Sequence, residues 1–314
     1  MRALVTGGLG FIGSNFINYL LQTTEIEVIN VDKCDYMARE RNVSAHPRYM
    51  YIRGDITEHY HMTHIFRTHA PDVVIHFAAQ SCVTKSFDLA FQYTKDNVLG
   101  THVLLETAKE YGKLQKFIHI STDEVYGEVE PMTTSCETSP LNPSNPYSAS
   151  KAAAELYVKA YCNAYNLPCI ITRGNNVFGS QQYPEKVVPL FITQILDQKP
   201  VTIHGDGSTR RNFIHVDDVS NAVACVLFKG EIGKTYNIGS QHEYSVIEIY
   251  NKIKTIMGRG DAEFVKDPRP FNDSRYCIDS SELRKLGWVE TIDFDSKLKE
   301  TIQWYTENRG WYTE

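Results

Sequence analysis

The N-terminal half of the chain alternates short apolar runs with segments of helical periodicity. The runs RALVTG, EVINVD, YMYIRGD, DVVIHFAA, KFIHIST and CIITRG are typical of buried strands. Between them FIGSNFINYLLQ and the ranges 92–111 and 147–165 carry apolar positions at helical spacing. Strands that alternate with helices predict βαβ units and a parallel sheet. We therefore expect a doubly wound α/β (Rossmann) fold with six or seven parallel strands.

The pattern changes near Asn175, where longer irregular segments begin. Strands are expected at VTIHG and TYNIG, and helices over 245–257 and around 294–308. We predict a dinucleotide-binding domain over 1–174, to which 205–238 returns. A smaller α/β substrate lobe would comprise 175–204 and 239–314.

Composition narrows the possible classes of protein. The chain has 314 residues, 42% of them hydrophobic, with 19 Gly and 12 Pro, which excludes disordered and collagen-like classes. The net charge is −6 with no basic run, so we expect no nucleic-acid partner. No apolar run reaches the roughly 20 residues of a membrane helix, and the first ten residues read as a strand and a glycine turn, not as a secretory signal. The seven cysteines form no CxxC pair, which indicates reduced thiols and a cytoplasmic location.

A glycine-rich turn follows the first predicted strand. In GGLGFIG, Gly8, Gly10 and Gly13 satisfy GxGxxG, and Gly7, Gly10 and Gly13 give GxxGxxG, at the start of an amphipathic helix. Such a turn lets the backbone and the helix N-terminus approach a pyrophosphate. The next strand ends in Asp32, 19 positions after Gly13, where a carboxylate binds ribose hydroxyls and repels a 2′-phosphate. The sequence therefore predicts NAD as the cofactor.

Further polar residues fall where strands of such a sheet end. Asp55 follows the third strand and is a candidate acceptor for the adenine amine. Tyr147 and Lys151 stand four apart on one helix face, where an ammonium lowers the pKa of a phenol toward use as a base. Asp123 and Glu124 end the strand KFIHIST, and two close, dry carboxylates divide into one acid and one base.

Histidines cluster in EHYHMTHIFRTH, at His59, His61, His64 and His69. No carboxylate or thiol completes a recognisable ligand set, so a solvated helix face is expected and no metal site.

Three motifs taken together carry a resemblance. TGGLGFIGS, STDEVYG and YSASK resemble the extended short-chain dehydrogenase/reductase superfamily, and STDEVYG is similar to the nucleoside-diphosphate-glucose 4,6-dehydratases. NNVFGSQQYPEKVVP, RRNFIHVDD and RPFNDSRYCID resemble further dehydratase segments, so that the likeness spans nearly the whole chain.

The resemblance implies a role for each matched position. Tyr147 would take the O4 proton of a nucleotide sugar while C4 gives a hydride to NAD⁺. Thr122 would bind O4 as a further catalytic residue, and Lys151 would hold the ribose and tune Tyr147. Glu124 would then remove the C5 proton, Asp123 would protonate the departing O6, and the hydride would return to C6. The implied activity is an NAD-dependent lyase that makes a 4-keto-6-deoxy sugar, in deoxysugar biosynthesis.

The resemblance also implies binding residues. The cofactor would contact Gly7, Gly10, Phe11, Ile12, Gly13, Asp32, Asp55, Ile56, Ala78, Ala79, Tyr147, Lys151 and Asn176. The substrate would contact Ser81, Thr122, Asn175, Lys186, Val187, Arg211 and Arg269, the cations meeting the diphosphate. The resemblance further implies a homodimer through the helices around 92–111 and 147–165.

Two departures leave the substrate open. In AAQSCVTKSF, Cys82 stands where the family usually has His and Thr84 where it has Asp, beside the sugar pocket. The hexose is therefore not fixed, and uridine and thymidine differ by one methyl group, which discriminates weakly. UDP-glucose, UDP-N-acetylglucosamine and dTDP-glucose are all candidates. A nucleotide-sugar 4-epimerase, which needs no carboxylate pair, and a non-enzymatic NAD-sensing regulator are the alternatives.

Overall fold

The computed structural model describes residues 1–312, and the last two residues of the predicted lobe lie outside that range. The strands are β1 Arg2–Thr6, β2 Glu27–Asp32, β3 Tyr49–Arg53, β4 Val73–His76, β5 Lys116–Thr122, β6 Cys169–Gly174, β7 Asn176–Phe178, β8 Val201–His204, β9 Arg210–His215, β10 Thr235–Ile238, β11 Glu243–Ser245 and β12 Ala262–Val265. The helices are α1 Phe11–Thr23, α2 His59–His69, α3 Val83–Asp88, α4 Ala90–Tyr93, α5 Gly100–Tyr111, α6 Pro146–Tyr165, α7 Val187–Leu196, α8 Val216–Lys229, α9 Val246–Met257, α10 Ser281–Lys285 and α11 Phe294–Glu307.

Seven strands form one parallel sheet in the order β10-β6-β5-β4-β1-β2-β3. The order reverses between β1 and β4, since β2 and β3 lie on one side of β1 and the later strands on the other. Ligands of doubly wound sheets bind at such a switch point, at the carboxyl ends of the strands. The predicted α/β fold with a parallel sheet is confirmed.

Helices cover both faces of this sheet. On one face α1 packs against α8, over a core that includes Phe16, Leu20 and Val223. On the other face α2, α5 and α6 pack side by side, with Leu104 and Phe117 in the core beneath them. Both faces are apolar because a parallel sheet is buried on both sides.

The helix predicted over 92–111 is interrupted. After α4, residues Thr94–Leu99 form a π-helical segment before α5 begins. π-Helical turns widen a helix locally and often occur at functional sites. Here the widened turn contains Asn97, whose side-chain amide donates to Ser150 Oγ in α6 (2.8 Å) and whose Oδ1 accepts from the Gln80 amide (2.7 Å).

The remaining strands form two small sheets, β11-β9-β7 and β12-β8, packed with α7, α9 and α11 around a separate apolar core. Within the range 205–238, β10 lies at the edge of the central sheet and α8 packs on α1, whereas β9 belongs to the small sheet. The division into domains at these boundaries stays a prediction. In residues 1–312 no helix is both long and apolar enough to cross a bilayer.

Candidate active site

A cavity of about 460 Å³ opens at the carboxyl ends of the central strands, between the sheet and the smaller elements. The residues proposed above for cofactor, catalysis and substrate all line it. They are Gly7, Gly10, Phe11, Ile12, Gly13, Asp32, Asp55, Ile56, Ala78, Ala79, Ser81, Thr122, Asp123, Glu124, Tyr147, Lys151, Asn175, Asn176, Lys186, Val187, Arg211 and Arg269.

The glycine turn between β1 and α1 is tightly packed. Gly7 has φ +73°, and a Cβ there would lie 2.5 Å from the Ala78 amide nitrogen. A Cβ on Gly13 would lie 2.4 Å from the Gly7 carbonyl oxygen. No side chain caps α1, so the amides of its first turn face the cavity without a side-chain partner. This arrangement fits a phosphate-bearing dinucleotide.

Asp32 holds the turn and faces the cavity. Its Oδ2 accepts from the Leu9 amide (3.0 Å) and its Oδ1 from the Cys34 amide (2.8 Å). Burial raises the pKa of Asp32 above its usual value, against those two hydrogen bonds. Each carboxylate oxygen keeps further acceptor capacity, as binding of ribose hydroxyls requires.

Lys33, which no sequence motif marks, lies beside Asp55. Its ammonium is 2.7 Å from Asp96 and 4.0 Å from Asp55. Burial opposes its charge, but the hydrogen bond to Asp96 and the neighbouring carboxylates leave the pKa of Lys33 raised. Since carboxylates surround this cation, it is not free to meet a 2′-phosphate, and the site fits an unphosphorylated ribose.

Two buried hydroxyls support the fit to a cofactor deeper in the cavity. Ser121 Oγ in β5 and Thr172 Oγ1 in β6 have no hydrogen-bond partner within the described residues, and both residues line the cavity. Buried polar groups are normally paired, so these hydroxyls point to a ligand with polar edges. Together with the glycine turn they fit the dinucleotide that the sequence predicts.

Tyr147 and Lys151 lie at the start of α6. Asn145 caps this helix, accepting from the Ser148 amide (2.9 Å) while the Ser148 hydroxyl is 3.2 Å from the Asn145 amide, and Pro146 follows the cap. The helix start fixes both side chains on the cavity side, where Tyr147 is buried.

The predicted lowering of the pKa of Tyr147 is wrong in this structure. The Lys151 ammonium donates to the Ile120 carbonyl (2.7 Å), and burial lowers the pKa of Lys151 to about 8. Burial, and then the Glu124 carboxylate, raise the pKa of Tyr147, with a hydrogen bond to Thr122 opposing them. Desolvation of the phenolate and the charge of Glu124 therefore decide the direction of the shift.

Asp123 and Glu124 stand in a 3₁₀ turn, Asp123–Tyr126, that follows β5. Asp123 is buried and accepts from the Asn175 amide (2.7 Å). Burial, and next the charge of Glu124, raise the pKa of Asp123 to about 7. Burial also raises the pKa of Glu124, whose Oε2 accepts from Asn145 (3.1 Å). The pair therefore has the coupling expected of one proton donor and one acceptor.

The predicted diphosphate-binding cations differ in their present partners. The Lys186 ammonium donates to the Ser81 carbonyl (2.7 Å), and Arg211 donates to the Asp273 carbonyl (2.8 Å) with its guanidinium 4.3 Å from the Tyr276 ring centre. Neither makes an ion pair within the described residues. Arg269 instead forms a two-armed ion pair with Asp267 (2.6 and 2.9 Å), so it must share or exchange that partner to bind phosphate.

Several site residues were not foreseen from the sequence. Asn145 holds Glu124, and its role could have been read from the N-P-x-S capping pattern at 145–148, which overlaps YSASK. Lys33, Gln80 and Asn97 are placed by contacts distant in sequence, for which no local signal exists. In residues 1–312 no group of three or more His, Cys, Asp or Glu is arranged to hold a metal, and the histidines at 59–69 lie on α2.

Comparison with known proteins identifies the family. The family model described as GDP-mannose 4,6 dehydratase matches residues 4–301. The chain belongs to this family. The resemblance inferred from the motifs is thereby confirmed.

Relatives of this chain include proteins named as 4,6-dehydratases of UDP-glucose and of dTDP-D-glucose. The trifunctional UDP-glucose 4,6-dehydratase/UDP-4-keto-6-deoxy-D-glucose 3,5-epimerase/UDP-4-keto-L-rhamnose-reductase RHM3 of Arabidopsis thaliana is 43% identical over 98% of the chain and 48% of its own length. The chain thus spans about half the length of this relative. The dTDP-D-glucose 4,6-dehydratase of Mus musculus is 42% identical over 98% of the chain and 89% of its own length.

Solved structures agree with this assignment. A dTDP-glucose 4,6-dehydratase of Bacillus anthracis in complex with NAD has a TM-score of 0.93 and 38% identity, covering 100% of this chain and 99% of that one. A UDP-glucose 4-epimerase of Thermotoga maritima with UDP-glucose has a TM-score of 0.92 but 30% identity, covering 98% and 100%. The family fold is shared by both activities, so the residues of the cavity must distinguish them.

Proposed function

We propose that this protein is an NAD-dependent lyase, a nucleoside-diphosphate-hexose 4,6-dehydratase. The observation that carries the proposal is the coupled pair Asp123 and Glu124 on the same cavity wall as Tyr147. Oxidation alone needs only a base beside the cofactor, whereas elimination of water needs an additional acid and base.

The first step concerns O4 of the hexose. Tyr147 accepts the O4 proton, and Thr122, which hydrogen-bonds Tyr147, orients the same hydroxyl. Bound NAD, held along the glycine turn and at Asp32, would supply the hydride acceptor for C4 and the hydride donor for C6, and its positive ring would favour the Tyr147 phenolate. Lys151, one helical turn after Tyr147 and on the same cavity wall, would hold the ribose.

The second step removes water across C5 and C6. A 4-ketone acidifies the C5 proton, which Glu124 accepts. Asp123, whose raised pKa keeps a proton available near neutral pH, donates to the departing O6. A hydride at C6 and a proton restored at C5 complete the product. The proton that Tyr147 gained replaces the one that Asp123 gave up, so the substrate loses one water and no net oxidation occurs.

The cofactor would lie along the glycine turn. Gly7, Gly10, Phe11, Ile12 and Gly13 face its diphosphate and Asp32 its ribose. The remaining predicted contacts line the same cavity: Asp55, Ile56, Ala78, Ala79 and Asn176.

The substrate would occupy the other end of the cavity. Lys186 and Arg211 supply positive charge for the diphosphate, Arg269 joins them if it leaves Asp267, and Val187 lies beside Lys186. Ser81 and Asn175 face the sugar. UDP-glucose, dTDP-glucose and UDP-N-acetylglucosamine all have the chemistry that this site requires.

The 4-epimerase alternative is less well supported. The epimerase structure has lower sequence identity than the dehydratases, and a 4-epimerase has no use for the Asp123–Glu124 pair. A non-enzymatic NAD sensor would have no use for that pair or for Tyr147.

We further propose a homodimer through the helices over 92–111 and 147–165. Support comes from large apolar side chains that are exposed: Leu99 (46%) in the π-helical segment before α5, and Leu156 (59%) and Tyr165 (54%) on α6. The seven free thiols support the predicted cytoplasmic setting. That nucleic acid and membranes are not partners stays a prediction.

Product analysis tests the function. Purified protein is incubated with NAD and, separately, UDP-glucose, dTDP-glucose and UDP-N-acetylglucosamine, and products are identified by mass spectrometry and NMR. We expect loss of one water and a 4-keto-6-deoxy sugar from at least one substrate. A product of unchanged mass with inverted C4 would establish the epimerase instead.

A further inference from the structure

Arg173 in β6 forms a fully buried ion pair with α6. The Arg173 and Glu155 side chains are both 0% exposed. Arg173 Nε donates to Glu155 Oε1 (3.0 Å) and Nη2 to Oε2 (2.6 Å). Glu155 lies one helical turn beyond Lys151, so this pair fixes the helix that carries Tyr147 and Lys151.

The other arm of the same guanidinium contacts the turn Asp123–Tyr126, which carries the two carboxylates. Arg173 Nη1 donates to the Tyr126 hydroxyl oxygen (2.7 Å), and the guanidinium carbon is 4.6 Å from the Tyr126 ring centre. Tyr126 ends the turn that begins with Asp123, and its hydroxyl donates to Asn237 Oδ1 (2.8 Å).

Stability alone does not account for this arrangement. A buried ion pair gains little free energy over well-packed apolar side chains, because both charges lose their hydration. A planar guanidinium that makes several hydrogen bonds instead fixes the positions of its partners, here Glu155 and Tyr126, relative to each other. Arg173 is also followed two residues later by Asn175, which holds Asp123 from the same strand end.

We propose that Arg173 is a positioning residue that holds the Tyr147–Lys151 helix and the Asp123–Glu124 turn in one register. The proposal rests on the proposed function: oxidation by one element and elimination by the other must act on the same bound hexose. Loosening the Tyr126 arm would displace the carboxylates and leave the oxidation step in place.

Two variants cut that arm in different ways. Tyr126→Phe keeps the ring but removes the hydroxyl that Arg173 contacts. Arg173→Lys keeps a positive charge for Glu155 but has no second arm for Tyr126. Tyr250→Phe is the matched control, since this buried tyrosine donates to the Gly260 carbonyl (3.0 Å) outside the cavity lining.

The readout is the fraction of enzyme-bound cofactor that is reduced during turnover, measured by near-ultraviolet absorbance beside the rate of product formation. We expect each variant to lose roughly ten- to a hundredfold in product formation and to accumulate NADH, as misplacement of the acid–base pair would cause. The double variant should lose no more product formation than the poorer single variant, because both substitutions remove the same Arg173–Tyr126 hydrogen bond. The control should behave as the parent does.

A merely structural role gives another result. Folding defects lower oxidation and elimination together, so an unchanged reduced fraction in Tyr126→Phe would overturn the proposal. Multiplying losses in the double variant would overturn it as well. If Arg173→Lys fails to fold, the reduced cofactor fraction of Tyr126→Phe, compared with that of the Tyr250→Phe control, still tests the proposal. If the parent itself makes no dehydrated product from any nucleotide hexose, the proposed function fails instead, before any variant is compared.

Discussion

The side-chain amide of Asn175 donates a 2.7 Å hydrogen bond to Oδ2 of Asp123. The orientation of this amide is fixed, because its oxygen accepts from the Ser240 backbone amide (2.9 Å). The hydrogen bond favours the charged carboxylate, yet burial and Glu124 dominate and raise the pKa of Asp123 to about 7. Asp123 is thus held in place while remaining able to carry a proton near neutral pH.

Asp123 should make the free energy of unfolding fall as pH rises. From its ordinary pKa of 3.8 up to about 7, the folded protein binds the Asp123 proton and the unfolded chain does not. Stability therefore declines across that window and the loss is complete above about 7. Asp123→Asn removes this decline. In urea titrations, the free energy of unfolding of the variant should therefore rise relative to that of the parent as pH increases to about 7. An equal difference at all pH values would contradict the assignment.

Glu124→Gln tests the base of the elimination step. The substitution keeps the shape and deletes the proton acceptor, so dehydration should fall by roughly 10²–10⁴-fold while oxidation at C4 continues. Rapid mixing with substrate should then show enzyme-bound NADH that persists. Dehydration at the parent rate would remove Glu124 from the mechanism.

Tyr147→Phe tests the other half-reaction. Without the phenol oxygen, oxidation should slow by at least about 10²-fold and the cofactor should stay as NAD⁺ after substrate is added. The two variants therefore give opposite cofactor signals in the same absorbance experiment. Persistent NADH in Tyr147→Phe would show that another group accepts the O4 proton.

The glycine turn offers a matched pair of variants for cofactor binding. Gly10 has φ −72°, and its added Cβ would lie no closer than 3.4 Å to Gly7 O, so Gly10→Ala should fold but place a methyl group against the cofactor. Gly13→Ala would meet Gly7 O at 2.4 Å and should lower the thermal midpoint by itself. In thermal melts, NAD should raise the midpoint of the parent and not that of Gly10→Ala. An equal rise in both would show that the turn does not contact NAD.

The sugar pocket departs from the family pattern at two positions that line the cavity, Cys82 and Thr84. Their small, uncharged side chains predict acceptance of UDP-sugars and of a C2 substituent larger than hydroxyl. Replacing Cys82 by the family's usual residue, Cys82→His, should lower kcat/KM for UDP-N-acetylglucosamine relative to UDP-glucose by about tenfold. A strong preference of the parent for dTDP-glucose would contradict this prediction.

The sequence predicted those features of the fold and the site that a single segment of the chain determines. The apolar runs predicted all seven strands of the central sheet, and YSASK and STDEVYG placed Tyr147, Lys151, Asp123 and Glu124 on one cavity. The widened turn at Thr94–Leu99 was not predicted, since no local motif marks it and its Asn97 contacts residues distant in sequence, Gln80 and Ser150. The sign of the pKa shift of Tyr147 was missed for a similar reason, since burial is a property of the assembled cavity.

Deuterium tracing tests whether the hydride taken from C4 returns to C6 of the same sugar. The protein is given a nucleotide hexose that carries deuterium at C4, with catalytic NAD, and the product is examined by NMR and mass spectrometry. We expect the deuterium to appear in the C6 methyl group of a 4-keto product. Deuterium retained at C4, or released with stoichiometric reduced cofactor, would contradict it.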